Sequence, residues 1–273
     1  MRPPTTIADI PPMSPPGIGV AMLVSALVSA GGFTARALDG AGTAAAWLVG
    51  TAVLAGSGWS GGAVLLAFFA LSSAVSRFAP RRRSAALDAK GDRRDAWQVL
   101  ANGGAAASGA ALLAGTPAAL WVVSGALATA AADTWATAWG AGSMVLPRHV
   151  LTGRAVPAGT SGGMTWRGTF GGLVGACVTA AAGLPTGGVP LLAAGTGIGF
   201  CGMLLDSWLG AAAQGRFHCP ACDAPSEWRR HRCGIQTLHV GGIRWLTNDA
   251  VNGLATTAGA FAGWLAWRCC SPS

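Results

Sequence analysis

The sequence has 273 residues, of which 52% are hydrophobic and 10% are charged, and its mean hydropathy is +0.48. Soluble domains carry roughly 25% charged residues, so this composition excludes an ordinary globular protein and indicates a polytopic membrane protein. The net charge of +8 comes from basic residues that are concentrated between apolar segments. Membrane lipids are therefore the expected surroundings, and no nucleic-acid partner is expected.

The chain begins with a Pro-rich stretch, residues 1–17, that lacks the pattern of a secretory signal and is interpreted as a flexible tail. Eight apolar segments follow, each close to the length that a helix needs to cross hydrocarbon. They lie at 18–34, 41–56, 60–78, 97–114, 118–139, 169–184, 189–213 and 249–267. We therefore expect an all-α, polytopic helix bundle, with a single transmembrane domain over 18–268 and a short tail over 269–273.

The basic residues predict how this bundle is oriented. Of the 18 Lys and Arg residues, seven lie in 77–94, three in 148–167 and five in 216–244. The positive-inside rule places these three loops in the cytoplasm. Two predicted spans separate each basic loop from the next, so the assignment is self-consistent. Three spans precede the first loop, which places both termini outside, and a bacterial-type plasma membrane is the expected location.

Carboxylates from separate segments are predicted to meet at this cytoplasmic face. Asp133 lies at the cytoplasmic end of the fifth span, Asp206 lies about two turns before the third basic loop, and Asp249 opens the last span. Acids within a membrane are costly and usually have a function. Asp95, in the first basic loop, is interpreted instead as a solvated partner of its basic neighbours.

Carboxylates beside Lys and Arg at a membrane interface are typical of a magnesium-phosphate site. Mg²⁺ (or Mn²⁺) takes carboxylate and phosphate oxygens as ligands, and basic side chains offset the charge of phosphates. Two segments supply further polar residues for such a site. They are Lys90, Arg93, Arg94, Gln98 and Asn102 in "KGDRRDAWQVLANGG", and Asn248 and Asn252 around Asp249 in "TNDAVN".

A Gly-rich turn, "VPAGTSGGMTWRGTFGGLVG" (156–175), leads into the sixth span. Successive free N–H groups at such a turn bind anions, although the turn lacks the Lys-Ser/Thr ending of a P-loop. We predict that Gly159, Thr160, Ser161 and Gly162 contact phosphate. The glycines from 168 onward have the small-xxx-small spacing that lets membrane helices pack closely, and we assign them to packing.

The third basic loop, within 214–247, contains a second constellation. Cys219 and Cys222 form a CxxC pair, and His231 and Cys233 follow. Four soft ligands at this spacing are typical of a small zinc ribbon, and a cytosolic loop keeps its thiols reduced. We predict a closed structural Zn²⁺ site; the alternative is a set of unligated thiols in a flexible loop.

Five motifs in this order resemble those of the transmembrane protein 19 family, whose plant member is the chloroplast phytyl-phosphate kinase of vitamin E synthesis. They are "KGDRRDAWQVLANG", "ADTWATAWG", "VPAGTSGGMTWRGTFGG", "LLDSWLGAAAQ" and "WLTNDAVN". The resemblance implies a kinase that converts an isoprenyl monophosphate (phytyl, farnesyl or geranylgeranyl) to its diphosphate with a nucleoside triphosphate. A more distant likeness to phytol and dolichol kinases favours CTP over ATP. In one departure, Thr137 and Ala138 stand where many members have Ser-Glu, so one possible acidic ligand is missing.

The resemblance also implies roles for the motif residues. Asp133, Asp206 and Asp249 are expected to hold Mg²⁺ or to orient the acceptor, and Lys90 and Arg93 are expected to bind phosphate charge.

Two other classes of protein explain part of the same pattern. A transporter or flippase for an anionic or isoprenoid-phosphate substrate would also use intramembrane acids and Gly-broken helices, but we find no clear internal repeat. A non-catalytic scaffold with a zinc loop leaves the intramembrane acids unexplained.

Overall fold

The computed structural model describes residues 15–79, 93–226, 228–231 and 233–270. The helices within these residues are α1 (Ile18–Thr34), α2 (Gly40–Phe78), α3 (Ala96–Leu112), α4 (Pro117–Gly140), α5 (Trp166–Ala181), α6 (Leu184–Ala213) and α7 (Asn248–Cys270). The strands are β1 (Arg148–His149), β2 (Gly163–Met164), β3 (Arg216–Cys219), β4 (Ala224–Ser226) and β5 (Leu238–Gly241).

Helix α2 contains two of the predicted spans. It is interrupted at Gly58, whose φ of 68° and ψ of −165° lie outside the helical region and suit a glycine. The chain reverses direction at Gly58, as the contact between Gly62 and the side chain of Leu54 shows. In a continuous helix these two positions would lie about 12 Å apart along the axis. Helix α2 therefore has two antiparallel arms, 40–57 and 59–78.

With α2 divided into its two arms, the helical segments coincide with the predicted spans to within a few residues. Among the described residues, two helices, α2 and α6, are long and apolar enough to cross a membrane by length and composition. Eight crossings therefore stay a prediction. The helical class is confirmed, and the described loops also form two small antiparallel sheets. One pairs β1 with β2, and the other has the order β4-β3-β5.

Helix α4 is the centre of the bundle. It packs against α2, α3, α5, α6 and α7, and its residues 118–132 are all buried. Small residues bring the neighbouring backbones close to it. Gly125 lies against the carbonyl oxygen of Gly259 in α7, and Gly199 of α6 lies against the α4 backbone. This is how membrane helices associate, because hydrocarbon provides no hydrophobic driving force between them.

The glycines that we assigned to packing do pack in the structure. Gly168, Gly171, Gly172 and Gly175 of α5 all face α4, where an added side chain would meet its backbone or its tryptophans. Gly172, for example, lies against the carbonyl oxygen of Ala132. The small-xxx-small pattern therefore identifies the face that α5 turns toward the centre.

Consecutive helices run in opposite directions, so the long connections meet at one end of the bundle. At this end the N–H of Asp39 donates to the carbonyl of Arg94 at 3.1 Å, and Trp135 Nε1 donates to Ser72 Oγ at 3.2 Å. We call this the loop end; its described connections are 35–39, 93–95, 141–165, 214–226, 228–231 and 233–247. That the loop end faces the cytoplasm stays a prediction.

We predict that Gly125→Ala destabilises the bundle, because the added methyl group would press on the carbonyl oxygen of Gly259. The free energy of unfolding should fall by about 1–3 kcal/mol, as in overpacked cores. Thermal unfolding in detergent, followed by tryptophan fluorescence, measures the change. Gly197→Ala in α6 is the matched control, since no described atom lies within 4 Å of its added methyl. Equal midpoints for the two variants would contradict this packing.

Candidate functional site

Two carboxylates face each other inside the bundle, near the loop end. Thr129 of α4 lies against Gly202 of α6, and both helices run toward the loop end. Asp133 and Asp206 each follow four residues later, so each lies on the same face of its helix and one turn closer to the loop end. The two carboxyl groups interact electrostatically, as this register requires. We call Asp133 and Asp206 the acid pair.

The acid pair is mostly shielded from its surroundings. Asp206 is 9% exposed, and its Oδ2 has no hydrogen-bond partner among the residues that the structure describes. Asp133 is half-buried. A buried polar atom without a partner costs roughly 1–3 kcal/mol, and more when it is charged. Such an atom needs an explanation, and an ion or ligand that binds there is a common one.

The Gly-rich turn packs on α6 immediately beyond Asp206. Gly162 lies against Ala211 and the carbonyl oxygen of Ser207, with too little room for a side chain. Its φ of +75° is also a conformation that favours glycine. The structure therefore places the predicted phosphate-binding turn beside Asp206, although the two are far apart in sequence.

The other residues of the turn are held by local contacts. Gly159 has a φ of +88°, and the hydroxyl of Thr160 donates to the carbonyl of Pro157 at 2.8 Å. Ser161 lies next to Gly210 of α6. The turn is thus a defined structure fixed against α6.

Gln214, at the C-terminal cap of α6, is a residue that the sequence analysis missed. It is 4% exposed, and its Nε2 is buried without a hydrogen-bond partner in the described part of the chain. Its side chain lies beside Gly210, which Ser161 also approaches. The sequence feature that could have identified Gln214 is its position at the end of the motif "LLDSWLGAAAQ". It lies eight residues after Asp206, which places it on roughly the same side of α6.

Helix α7 contributes Asn252 to the same interior. Gly259 of α7 lies against Thr129, and Asn252 lies seven residues earlier, on the same face and about two turns closer to the loop end. Its Oδ1 is buried and makes no hydrogen bond to any described residue. Asn252 therefore faces the space beyond the acid pair, toward the loop end.

Asp249 and Asn248 lie further out. They begin α7, and Asp249 is half-buried while Asn248 is exposed. By helical rise, Asp249 is ~9 Å closer to the loop end than the acid pair. The structure does not bring Asp249 to the depth of Asp133 and Asp206.

The first motif occupies a different place from the acid pair. Lys90 lies outside the described residues, and Arg93 is exposed. Gln98 forms a capping box with Asp95: Asp95 Oδ1 accepts from the N–H of Gln98 at 2.9 Å, and Gln98 Oε1 accepts from the N–H of Asp95 at 3.1 Å. Asp95, which we interpreted as a solvated partner of basic residues, therefore caps α3.

Arg94, like Gln214, has a position in the fold that the sequence analysis did not predict. Its guanidinium lies over the rings of Phe68 and Phe69, 5.6 and 5.8 Å from their centroids. Burial lowers the pKa of Arg94 to about 10, so it stays protonated at neutral pH. Together with Gln98 and Asn102 it lines a cavity of about 310 Å³ between α1, α2 and α3.

The predicted zinc ligands do converge. The ligand atoms of Cys219, Cys222, His231 and Cys233 all lie within 4.8 Å of one another. The sulfur atoms of Cys219 and Cys233 are 3.7 Å apart, which matches two thiolates on a tetrahedral Zn²⁺ with Zn–S bonds of about 2.3 Å. A hydrogen bond with His231 lowers the pKa of Cys233 to about 6, which favours the thiolate that metals bind.

The family of the chain follows from comparison with known proteins. The family model for the integral membrane protein family DUF92 matches residues 23–260, which include all five motifs and both halves of the acid pair. The chain belongs to the DUF92 integral membrane family. DUF92 is the family of transmembrane protein 19-like proteins, so the resemblance read from the motifs is confirmed at the family level. Its location in a membrane is confirmed with it.

Two relatives extend over most of the DUF92 chain. "Uncharacterized membrane protein sll0875" of Synechocystis sp. is 29% identical over 227 residues, covering 79% of this chain and 77% of the relative. "Protein PGR" of Arabidopsis thaliana is 28% identical over 267 residues, covering 85% of this chain and 90% of the relative. No solved structure matches.

We predict that Asp206→Asn stabilises the DUF92 protein when divalent cations are absent, because it removes the cost of burying a second carboxyl group beside Asp133. The gain in the free energy of unfolding should be about 1 kcal/mol or more, measured as a higher midpoint of thermal unfolding in detergent with a chelator.

Asp39→Asn is the matched control for this substitution. Asp39 caps α2 by accepting from the N–H of Gly42 at 2.7 Å, and asparagine caps a helix about as well. Its midpoint should therefore not change. A lower midpoint for Asp206→Asn would mean that the carboxylate is structural.

Proposed function

We propose that this DUF92 protein is a membrane kinase that transfers the γ-phosphoryl group of a nucleoside triphosphate to an isoprenyl monophosphate. The acid pair is the observation on which the proposal rests: two carboxylates from separate helices face each other inside the bundle, beside a Gly-rich turn. The likeness of the motifs to the transmembrane protein 19 family supports the choice of substrate, with CTP favoured over ATP.

The chemistry suits this arrangement. The acceptor phosphate is already an anion, so the reaction needs no strong base. An oxygen of the acceptor phosphate attacks the γ-phosphorus, and the bond from that phosphorus to its bridging oxygen breaks. The products are an isoprenyl diphosphate and a nucleoside diphosphate. The protein's contribution is to position two anions and to offset their charge.

Asp133 and Asp206 would hold Mg²⁺ (or Mn²⁺), which prefers hard oxygen ligands and which, when bound, would neutralise phosphate charge. The buried Oδ2 of Asp206, without a partner among the described residues, fits that role. The donors near the pair are the backbone N–H of Gly162, which packs on α6 next to Ser207, and the amide of Gln214. The N–H of Thr160 already donates to the carbonyl of Pro157 at 3.2 Å. Because Asp249 lies closer to the loop end, the proposal does not include it among the metal ligands.

We expect Asp133→Asn and Asp206→Asn each to lower phosphoryl transfer at least about 100-fold, the scale of losing one electrostatic group from an active site. The assay uses detergent-purified protein, Mg²⁺ and γ-labelled CTP or ATP, with farnesyl, geranylgeranyl or phytyl monophosphate as acceptor. Label in the lipid product is the readout. Asp39 is a carboxylate at the same end of the bundle, and the Asp39→Asn variant should keep full activity.

Folded protein that labels none of these lipids with either nucleotide would overturn the proposal. If the same purified protein, reconstituted in proteoliposomes, moved labelled isoprenyl phosphate across the vesicle membrane, the transporter or flippase alternative would be supported.

We also propose that Cys219, Cys222, His231 and Cys233 hold a structural Zn²⁺. Four protein ligands leave no open position, so the ion would fold the β4-β3-β5 sheet and take no part in chemistry.

Purified protein should contain about one Zn²⁺ per chain by elemental analysis, as expected for a four-ligand site. Cys219→Ser and Cys233→Ser should each lose it. Cys201→Ser is the control, because Cys201 lies on the exposed surface of α6, outside the cluster. Zinc retained by both cluster variants would contradict the assignment.

A further inference from the structure

The cavity between α1, α2 and α3 is separate from the acid pair, and its lining includes no residue of α4 or α6. Its walls are almost entirely apolar; Val24 of α1, and Val49 and Leu66 of the two arms of α2, are examples. Its volume of about 310 Å³ is at the lower end of the range for sites that bind small molecules. The cavity therefore suits the apolar part of a ligand.

The first motif contributes three polar or charged side chains to the lining of this cavity. Gln98 and Asn102 lie four residues apart on the same side of α3, and Arg94 precedes the helix; all three line the cavity. Arg94 is at the loop end, whereas Trp59, at the other end of the lining, follows the reversal at Gly58. The cavity thus has a cationic end and an apolar body that runs along the second arm of α2 for ~15 Å by helical rise.

The cationic end has a fixed geometry. The guanidinium of Arg94 lies over the rings of Phe68 and Phe69, and these cation–π contacts restrict its orientation. An arginine held in this way presents planar N–H donors that match the oxygens of a phosphate. The ligand that this end selects is therefore an anion.

The apolar body opens sideways. Val28 is 41% exposed and Leu66 is 50% exposed, although both line the cavity. In a membrane protein such an opening faces lipid, so a chain that is longer than the cavity can enter from the bilayer and extend back into it.

The cationic end is also at the depth of the acid pair. Ser72, one turn beyond Phe68 on α2, accepts a hydrogen bond from Trp135 at 3.2 Å. Trp135 is two residues beyond Asp133 on α4. An anionic group at Arg94 would therefore lie at the same level of the bundle as the two carboxylates.

We propose that this cavity binds the isoprenyl chain of the acceptor and that Arg94 contacts the acceptor's monophosphate. The proposal rests on the function proposed above, which supplies the class of acceptor; the cavity itself selects an anion that carries a long apolar chain. It also explains why the first motif lies beside this cavity and away from the acid pair.

The test is equilibrium binding of labelled geranylgeranyl monophosphate to the full-length protein in detergent, without nucleotide. Arg94→Gln and Val24→Trp should each weaken binding at least tenfold, the first by removing the charge and the second by filling the cavity. Arg77→Gln and Leu27→Trp are the matched controls and should bind normally. Arg77 is an exposed arginine at the loop end, and Leu27 is 65% exposed on α1; neither lines the cavity.

Two competitors separate the parts of the proposal. Arg94→Gln should not change the affinity for geranylgeraniol, which has no phosphate, whereas Val24→Trp should weaken it. Phosphatidic acid, which has a phosphate on a different lipid, should compete poorly. Normal binding by both cavity variants, or equal displacement by phosphatidic acid, would overturn the proposal. Arg94→Lys, which keeps the charge, should bind more tightly than Arg94→Gln, and unchanged thermal midpoints should show that the variants fold.

The binding test and the transfer assay can refute the two proposals independently. If Asp206→Asn abolishes transfer while Val24→Trp changes neither transfer nor binding, the kinase stands and the cavity proposal falls. If the cavity variants lose binding but the wild-type protein transfers no phosphate, the cavity proposal stands and the kinase falls.

Discussion

The carbonyl oxygen of Gly259 lies directly against Gly125, with no room for a side chain between α7 and α4. Contacts of this kind surround α4, and the other features of the structure depend on them. In hydrocarbon, helices gain little from burying apolar surface and associate through close packing, which small residues allow. Because five helices approach α4 in this way, its side chains have no contact with lipid over most of its length. Asp133, near its end, is held inside the bundle for the same reason.

The acid pair depends on this register as well. Gly202 sets the level at which α6 meets Thr129, and Asp133 and Asp206 both follow one turn later. A shift of α6 by a single residue would rotate Asp206 by about 100° away from its partner. The pairing of two carboxylates opposes folding, and the close packing of α4 offsets it. Buried acids in a membrane protein are retained at such a cost where they have a function.

The two proposed sites are formed by different helices. The acid pair, the Gly-rich turn and Gln214 belong to α4, α6 and their connections, whereas the cavity belongs to α1, α2 and α3. Both lie near the loop end, so the proposals place the anionic parts of the lipid phosphate and the nucleotide at a similar level of the bundle. The apolar chain would remain at the depth of the hydrocarbon. Under the two proposals, one bundle would bind a lipid from the membrane and a nucleotide from water.

Much of this could be read from the sequence. Composition determined the membrane class, and apolar runs determined the helical segments, including the break near Gly58, because each property depends on neighbouring residues alone. The spacing of Cys219, Cys222, His231 and Cys233 likewise predicted a cluster, since one short loop holds all four. Tertiary structure alone decided that Asp133 faces Asp206, and that Arg94 lines the cavity whereas Arg93 is exposed. These choices depend on how each helix is rotated about its axis. A helix that is apolar on every side carries no pattern for that rotation, so packing against its neighbours sets it.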